Sequence, residues 1–286
     1  MAKHEVFANP TVEKVIFQIR FPNLFYMEQL IGEYQQRIID RFPTSQMLIR
    51  RNFFMASVNQ AVEEEEIPPP PKGLETQPIW NFISEDGVQL NVLSDSLDIT
   101  STVHKTYNNP SESMRFRDSI EFAVDNFLHI VQLPKFTRLG LRYIDKCPVT
   151  KQDNKTYKAW YKTAFPLTRF PLSESKEMLF QARCRREGYL FNYREFFRET
   201  EEGPPLTLDF DGYAQDVKAA DYLQVTDKLH DLIRAEYLAS VKAALLDYMR
   251  KPKPKPKAKA KKKAKAKKKA KTKKKATGKA KRQRRR

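Results

Sequence analysis

Residues 11–21 read TVEKVIFQIRF, with Val15, Phe17, Ile19 and Phe21 alternating against Lys14, Ile16, Gln18 and Arg20. Side chains of a strand point to its two faces in turn, so this period of two predicts a strand with one buried side. How often that pattern returns along the chain decides the fold. Pro22-Asn23 breaks the strand, and Met27, Leu30, Ile31, Tyr34 and Ile38 then recur at helical spacing until Pro43. Strands are expected over residues 47–57, 79–83 and 88–103, the last two joined by the turn Glu85-Asp86-Gly87. A helix over 114–132 buries the stripe Phe116, Ile120, Ala123, Val124, Phe127 and Val131, and Pro134 ends it.

Residues 136–144 (FTRLGLRYI) read as a strand, followed by an irregular aromatic-rich stretch with Tyr157, Trp160, Tyr161, Phe165 and Phe170. Strands return at 178–186, at 189–197 across Glu187-Gly188, and at 206–210. A last apolar stripe, Val225, Leu229, Leu232, Ile233, Tyr237, Val241, Ala244, Leu245 and Tyr248, predicts one long helix. Hairpin-linked strands with three amphipathic helices between them predict an α+β fold. Its sheet is mostly antiparallel, with the helices packed on one face. Residues 1–250 form a single domain in this reading. Within it, 63–71 (EEEEIPPPP) is an exposed loop, since four acids and a proline run cannot supply a ladder.

Charge divides the chain more sharply than hydropathy does. Of its 53 Lys and Arg residues, 22 fall in 251–286, where there is no acid. The remaining 31 face 35 acidic residues, so residues 1–250 carry a net of −4 and the overall +18 belongs to the tail. Only Cys147 and Cys184 are present, which excludes a disulfide framework, and with His4, His104, His129 and His230 they form no metal-ligand spacing. The opening MAKHEVFANPTVEK lacks a signal-like apolar stretch, and no run approaches the ~18 apolar residues of a membrane helix. A soluble, intracellular protein is expected.

The tail runs from KPKPKPK through lysine–alanine blocks to KRQRRR. Its prolines stop the preceding helix, and nothing larger than alanine is available to bury, so a disordered segment is expected. Lys261, Lys262, Lys263, Lys267, Lys268, Lys269, Lys273, Lys274, Lys275, Arg282, Arg284, Arg285 and Arg286 are its candidate nucleic-acid contacts. Phosphates are neutralised by such cations with counterion release, whereas base edges need amides or aromatic platforms, of which the tail holds only Gln283. Binding to DNA or RNA is therefore expected to be salt-sensitive and indifferent to sequence. A solubilising appendage or an anionic lipid surface are the competing readings.

No P-loop, dinucleotide fingerprint, G-x-S-x-G elbow or H-E-x-x-H motif can be drawn, and no cofactor is implied. Asp209 and Asp211 (LDFDG) sit two apart on one strand and are the candidate Mg²⁺ ligands, with Asp98 a further acid of the same kind. The competing reading has them ending a strand and accepting turn hydrogen bonds before Gly212. A second constellation lies on the non-core parity, where Gln18, Thr100 and Thr102 accompany the candidate anion-binding residues Arg20, His104, Arg138, Arg142, Arg183 and Arg185. Against it stands an ordinary solvated face with cross-strand pairs to Asp98, Asp145 and Asp209. His129 and His230 read as helix-surface residues, and Trp80, Trp160 and Tyr161 as packing.

Three segments, PTVEKVIFQIRFP (10–22), DSLDITSTVHKTY (95–107) and RLGLRYID (138–145), resemble a sporadically distributed bacterial family of uncharacterised proteins. The resemblance covers about 250 residues and closes on a helix like that at 222–249. It implies one α+β domain in a bacterial cytoplasm and supplies no catalytic residues; the lysine-rich tail, histone-like in composition, is an addition to it. The expected function is a non-enzymatic binding protein held on DNA or RNA by its tail, near the nucleoid, with a body that recognises another partner. A Mg²⁺-dependent enzyme acting on nucleic acid or nucleotides, and an interaction component of a bacterial stress or defence system, remain the alternatives.

Overall fold

The computed structural model describes residues 5–51, 76–109, 112–199 and 205–251. Strands β1 (Val12–Arg20), β2 (Thr44–Arg51), β3 (Thr76–Ile83), β4 (Gln89–Val92), β5 (Ser96–Ser101), β6 (Lys135–Cys147), β7 (Glu177–Arg186), β8 (Tyr189–Arg198) and β9 (Leu206–Lys218) form one sheet. Their order is β2-β3-β4-β5-β1-β6-β9-β8-β7, and every neighbouring pair is antiparallel. The helices are α1 (Met27–Ile38), α2 (Phe116–Ile130), α3 (Asn154–Trp160), α4 (Tyr222–Ser240) and α5 (Ala243–Arg250). The α+β architecture read from the pattern is the one the chain adopts.

Period two works as expected in β1, whose Val15, Phe17 and Ile19 are fully buried. Opposite them on the same face lie Leu97 and Ile99 of β5 and Leu139, Leu141 and Tyr143 of β6, all in the core. Helix α2 turns Phe116, Ile120, Ala123, Val124 and Phe127 onto this face. Its partner α1 is tied across by Tyr34, whose hydroxyl donates to the Ala123 carbonyl at 2.9 Å and whose ring meets Phe127 edge-on. Helix α4 covers the β6–β9 half, and a Cβ at Gly212 of β9 would stand 3.4 Å from Leu229 and 3.5 Å from Ile233. The missing side chain lets that helix settle close to the strand.

Four sequence readings change. Among the described residues five α-helices replace the expected three, because 154–160 is helical and the single long final helix is two. Val241 leaves the helix with extended geometry and bridges Tyr161, while Lys162 N–H donates to Ser240 and Lys242 N–H to Trp160. The 88–103 strand is divided into β4 and β5 by a tight turn in which Leu93 N–H donates to Ser96. Strand β9 does not stop at Phe210 but runs on through Gly212 to Lys218, so Asp209 and Asp211 lie in mid-strand and not at a turn. Strand β2 starts at Thr44, three residues before the expected 47. Residues 52–57, the 63–71 loop and the tail from 252 lie outside the described residues.

Candidate recognition face of the sheet

Residues on the polar parity of the sheet point away from the helices and meet one another across strands. In one register row, Gln46 faces Asn81, Asn81 faces Asn91, Asn91 faces Asp98 and Asp98 faces Gln18. Each amide in the row serves the next. Gln46 Nε2 donates to Asn81 Oδ1 at 2.9 Å, Asn81 Nδ2 to Asn91 Oδ1 at 2.7 Å, and Asn91 Nδ2 to Asp98 Oδ2 at 2.9 Å. An amide carries two N–H donors and an acceptor oxygen with two lone pairs, so each retains capacity after these bonds. The row is a directional ladder of fixed side chains lining a groove of about 720 Å³, with Arg20, Gln77 and Gln89 alongside.

Beyond β1 the same face turns to arginine and aspartate. Arg142 forks Asp209 with Nε at 2.7 Å and Nη2 at 2.6 Å. Arg138 reaches Gln18 at 3.2 Å with one nitrogen and Asp211 at 3.0 Å with another, and Asn192 Nδ2 adds a donor to Asp211 at 3.0 Å. Gly140 makes the Arg138 pose possible, since a Cβ there would stand 2.7 Å from its guanidinium. That guanidinium lies over the Tyr213 ring, 4.5 Å from its centre, a cation–π contact.

The expected basic face is therefore brought together, yet partly neutralised by its own acids. Arg138 and Arg142 are committed to Asp211 and Asp209. Arg20 is exposed and donates to Gln18 at 3.2 Å, while exposed Arg183 and Arg185 sit on edge strand β7 and pair with no acid among the described residues. Thr102 and His104 lie past the end of β5. His104 is buried, with Ser101 Oγ at 2.8 Å from Nδ1, and the Met114 carbonyl at 3.0 Å and the Glu112 carboxylate at 3.8 Å from Nε2, so its ring is engaged within the protein. Asp209 and Asp211 do share a face, but guanidinium groups occupy the positions a cation would take. Among the described residues, no group of three His, Cys, Asp or Glu could hold a metal ion.

Two readings of single residues are corrected by burial. His230 is no surface histidine: it is 8% exposed, its ring stacks on Tyr107 at 4.7 Å, and its Nδ1 lies 3.2 Å from the Tyr143 hydroxyl. Asp145 makes no cross-strand pair on the polar face, because it points into the core with 2% exposure and accepts from Thr11 Oγ1 at 2.7 Å. The parity of RLGLRYID already places Asp145 with Leu139, Leu141 and Tyr143, a signal that could have been read. Glu195 is another buried acid, 1% exposed and satisfied by the Tyr157 hydroxyl at 2.8 Å, the Ala164 N–H at 2.9 Å and the Thr163 hydroxyl. It fixes the 154–165 excursion to the sheet.

No protein-family model matches the chain, and no curated protein matches it. No helix among the described residues is long and apolar enough to cross a membrane.

Proposed function

We propose that the protein is a non-enzymatic binding protein, anchored to DNA or RNA by residues 251–286 and recognising a second partner through the polar face of its sheet. The observation that carries the reading is the ladder from Gln46 to Gln18, a row of polar side chains held in register by hydrogen bonds, with Gln46 exposed, Asn91 and Gln18 partly exposed and Asn81 buried. Pre-positioned polar groups lose little freedom on binding, which is what a recognition surface requires. The arginines at the centre of the face are bound to Asp209 and Asp211, so polyanion affinity is assigned to the 22 cations of the tail. The same pairs disfavour the Mg²⁺-enzyme reading, since a metal would have to displace two arginines. The bacterial, nucleoid-associated setting rests on the family resemblance and on the tail.

A salt titration of binding to random-sequence DNA and RNA, with the full chain and with residues 1–250, tests the division of labour. Six to ten phosphate contacts make affinity fall roughly 10³- to 10⁵-fold between 50 and 200 mM salt. The full chain is expected to follow such a slope and the truncation to lose binding. Retained binding by residues 1–250 would move the nucleic-acid site to Arg20, Arg183 and Arg185. No binding by either form removes the anchor from the proposal.

A further inference from the structure

On the helix side of the sheet, between α4, the ends of β6 and β9 and the N-terminal segment, lies a cavity of about 120 Å³. Thr11, Tyr143, Asp145, Phe210, His230 and Tyr237 are among the residues that line it. About half of that lining is aromatic or aliphatic; Glu5, Lys105, Asn109, His230 and Arg234 add polar and charged groups, and Asp145 is its deeply buried acid. A carboxyl removed from water needs a cation or several donors, otherwise its burial is costly. Asp145 is 2% exposed and takes one hydrogen bond, from Thr11. The Tyr237 hydroxyl lies 2.8 Å from Thr11 Oγ1 and 3.2 Å from Met249 Sδ. Among the described residues no lysine, arginine or histidine forms an ion pair with Asp145.

The charged groups around the cavity are engaged elsewhere. Arg250 forks Glu5 at 2.7 and 3.0 Å. Arg234 helps, after Arg250, to hold the Glu5 carboxyl below its ordinary range. Lys105 Nζ donates to the Thr102 carbonyl at 2.6 Å, and His230 is held between Tyr107 and Tyr143. The neighbours of Asp145 on its face of β6, Leu139, Leu141, Tyr143 and Cys147, are core residues. A valine or leucine would pack at this position without the desolvation cost, so the acid points to a cationic occupant.

We propose that this cavity binds a small primary ammonium compound, with Asp145 as its counter-charge and Tyr143, Phe210 and Tyr237 as its aromatic walls. The ammonium completes the carboxylate's hydrogen bonding, and ring faces attract a cation within about 6 Å of their centres. Size limits the class. An apolar cavity of ~150 Å³ holds benzene, so the occupant here is a compact amine of about five or six heavy atoms. Burial lifts the Asp145 carboxyl to about 7, and cation binding near neutral pH draws it into the ionised form. This site is independent of the ladder on the opposite face and stands or falls without it.

The test uses the full chain at pH 8 and constant chloride, with n-butylammonium and its neutral shape-mimic n-butanol as probes in isothermal calorimetry. Saturable binding of n-butylammonium is expected, with n-butanol at least about tenfold weaker. Asp145→Asn keeps the shape and removes the charge. It should weaken n-butylammonium roughly 10- to 100-fold and leave n-butanol unchanged. Equal binding of the two probes, no saturable binding, or an Asp145→Asn protein that binds n-butylammonium like the parent each overturns the proposal. If circular dichroism shows that Asp145→Asn does not fold, the comparison of the two probes on the parent protein decides alone.

Discussion

Replacing Asp145 by Asn should remove a pH dependence of stability that runs opposite to the usual behaviour of a carboxylate. Burial is the main cause of the raised value of about 7, opposed by the Thr11 hydrogen bond and assisted by the Asp209 charge, against an ordinary value of 3.8. Between these two values the folded protein holds a proton that the unfolded chain has released. Stability therefore falls as pH rises through this window, by about 1.4 kcal/mol per pH unit and roughly 4 kcal/mol in all. It is fully present below the unfolded value and lost above the folded one. Urea midpoints for the parent and Asp145→Asn at pH 4 to 8 and fixed ionic strength read this directly, because other titrating groups cancel in the difference. The asparagine protein should gain on the parent by about 4 kcal/mol between pH 4 and pH 8. A difference that stays flat with pH would refute the claim that Asp145 is a desolvated, cation-free carboxyl.

Arg142→Ala strands Asp209, which is 9% exposed, and should lower stability by about 2 kcal/mol; combining it with Asp209→Asn should recover much of that loss, as urea unfolding of the set will report. Gly140→Ala drives the Arg138 guanidinium off Tyr213, because the nearest atom to a new Cβ is its terminal nitrogen at 2.7 Å. As that side chain is flexible, the cost should stay near 1 kcal/mol, with a changed Tyr213 ring signal by NMR. Glu187 occupies the left-handed region at φ 50° before Gly188 at φ 86° in the β7–β8 turn. Glu187→Asn should therefore raise stability by about 0.5–1 kcal/mol, seen as a higher thermal midpoint.

Much of the fold was legible in order because strand and helix declare themselves through local period. TVEKVIFQIRF and FTRLGLRYI needed only their own alternation, and the α2 stripe only its own 3.6-residue repeat. The charge division was legible too, since a polycationic segment has no apolar residues to bury wherever it lies. What stayed hidden were decisions taken by distant partners. The apolar stripe through Val241 reads as unbroken helix, yet the Tyr161 strand segment captures that residue's backbone. Strand β9 runs past Gly212 because β6 and β8 flank it on both sides and supply its ladder.

By itself the sequence determined the α+β class, the buried parity of β1 and the placing of the positive charge beyond Arg250. Only the tertiary structure decided which polar groups meet. Parity puts Arg138, Arg142, Asp209 and Asp211 on one face, but register alone pairs them, converting a supposed phosphate grip into two internal ion pairs. Register likewise aligns Gln46, Asn81, Asn91, Asp98 and Gln18 from five strands into one ladder. The packing of α4 over β6 is what turns Asp145 and His230 from anonymous polar residues into the lining of a cavity. Hydrophobic periodicity is a property of neighbours in the chain, whereas hydrogen bonds and desolvation depend on neighbours in space.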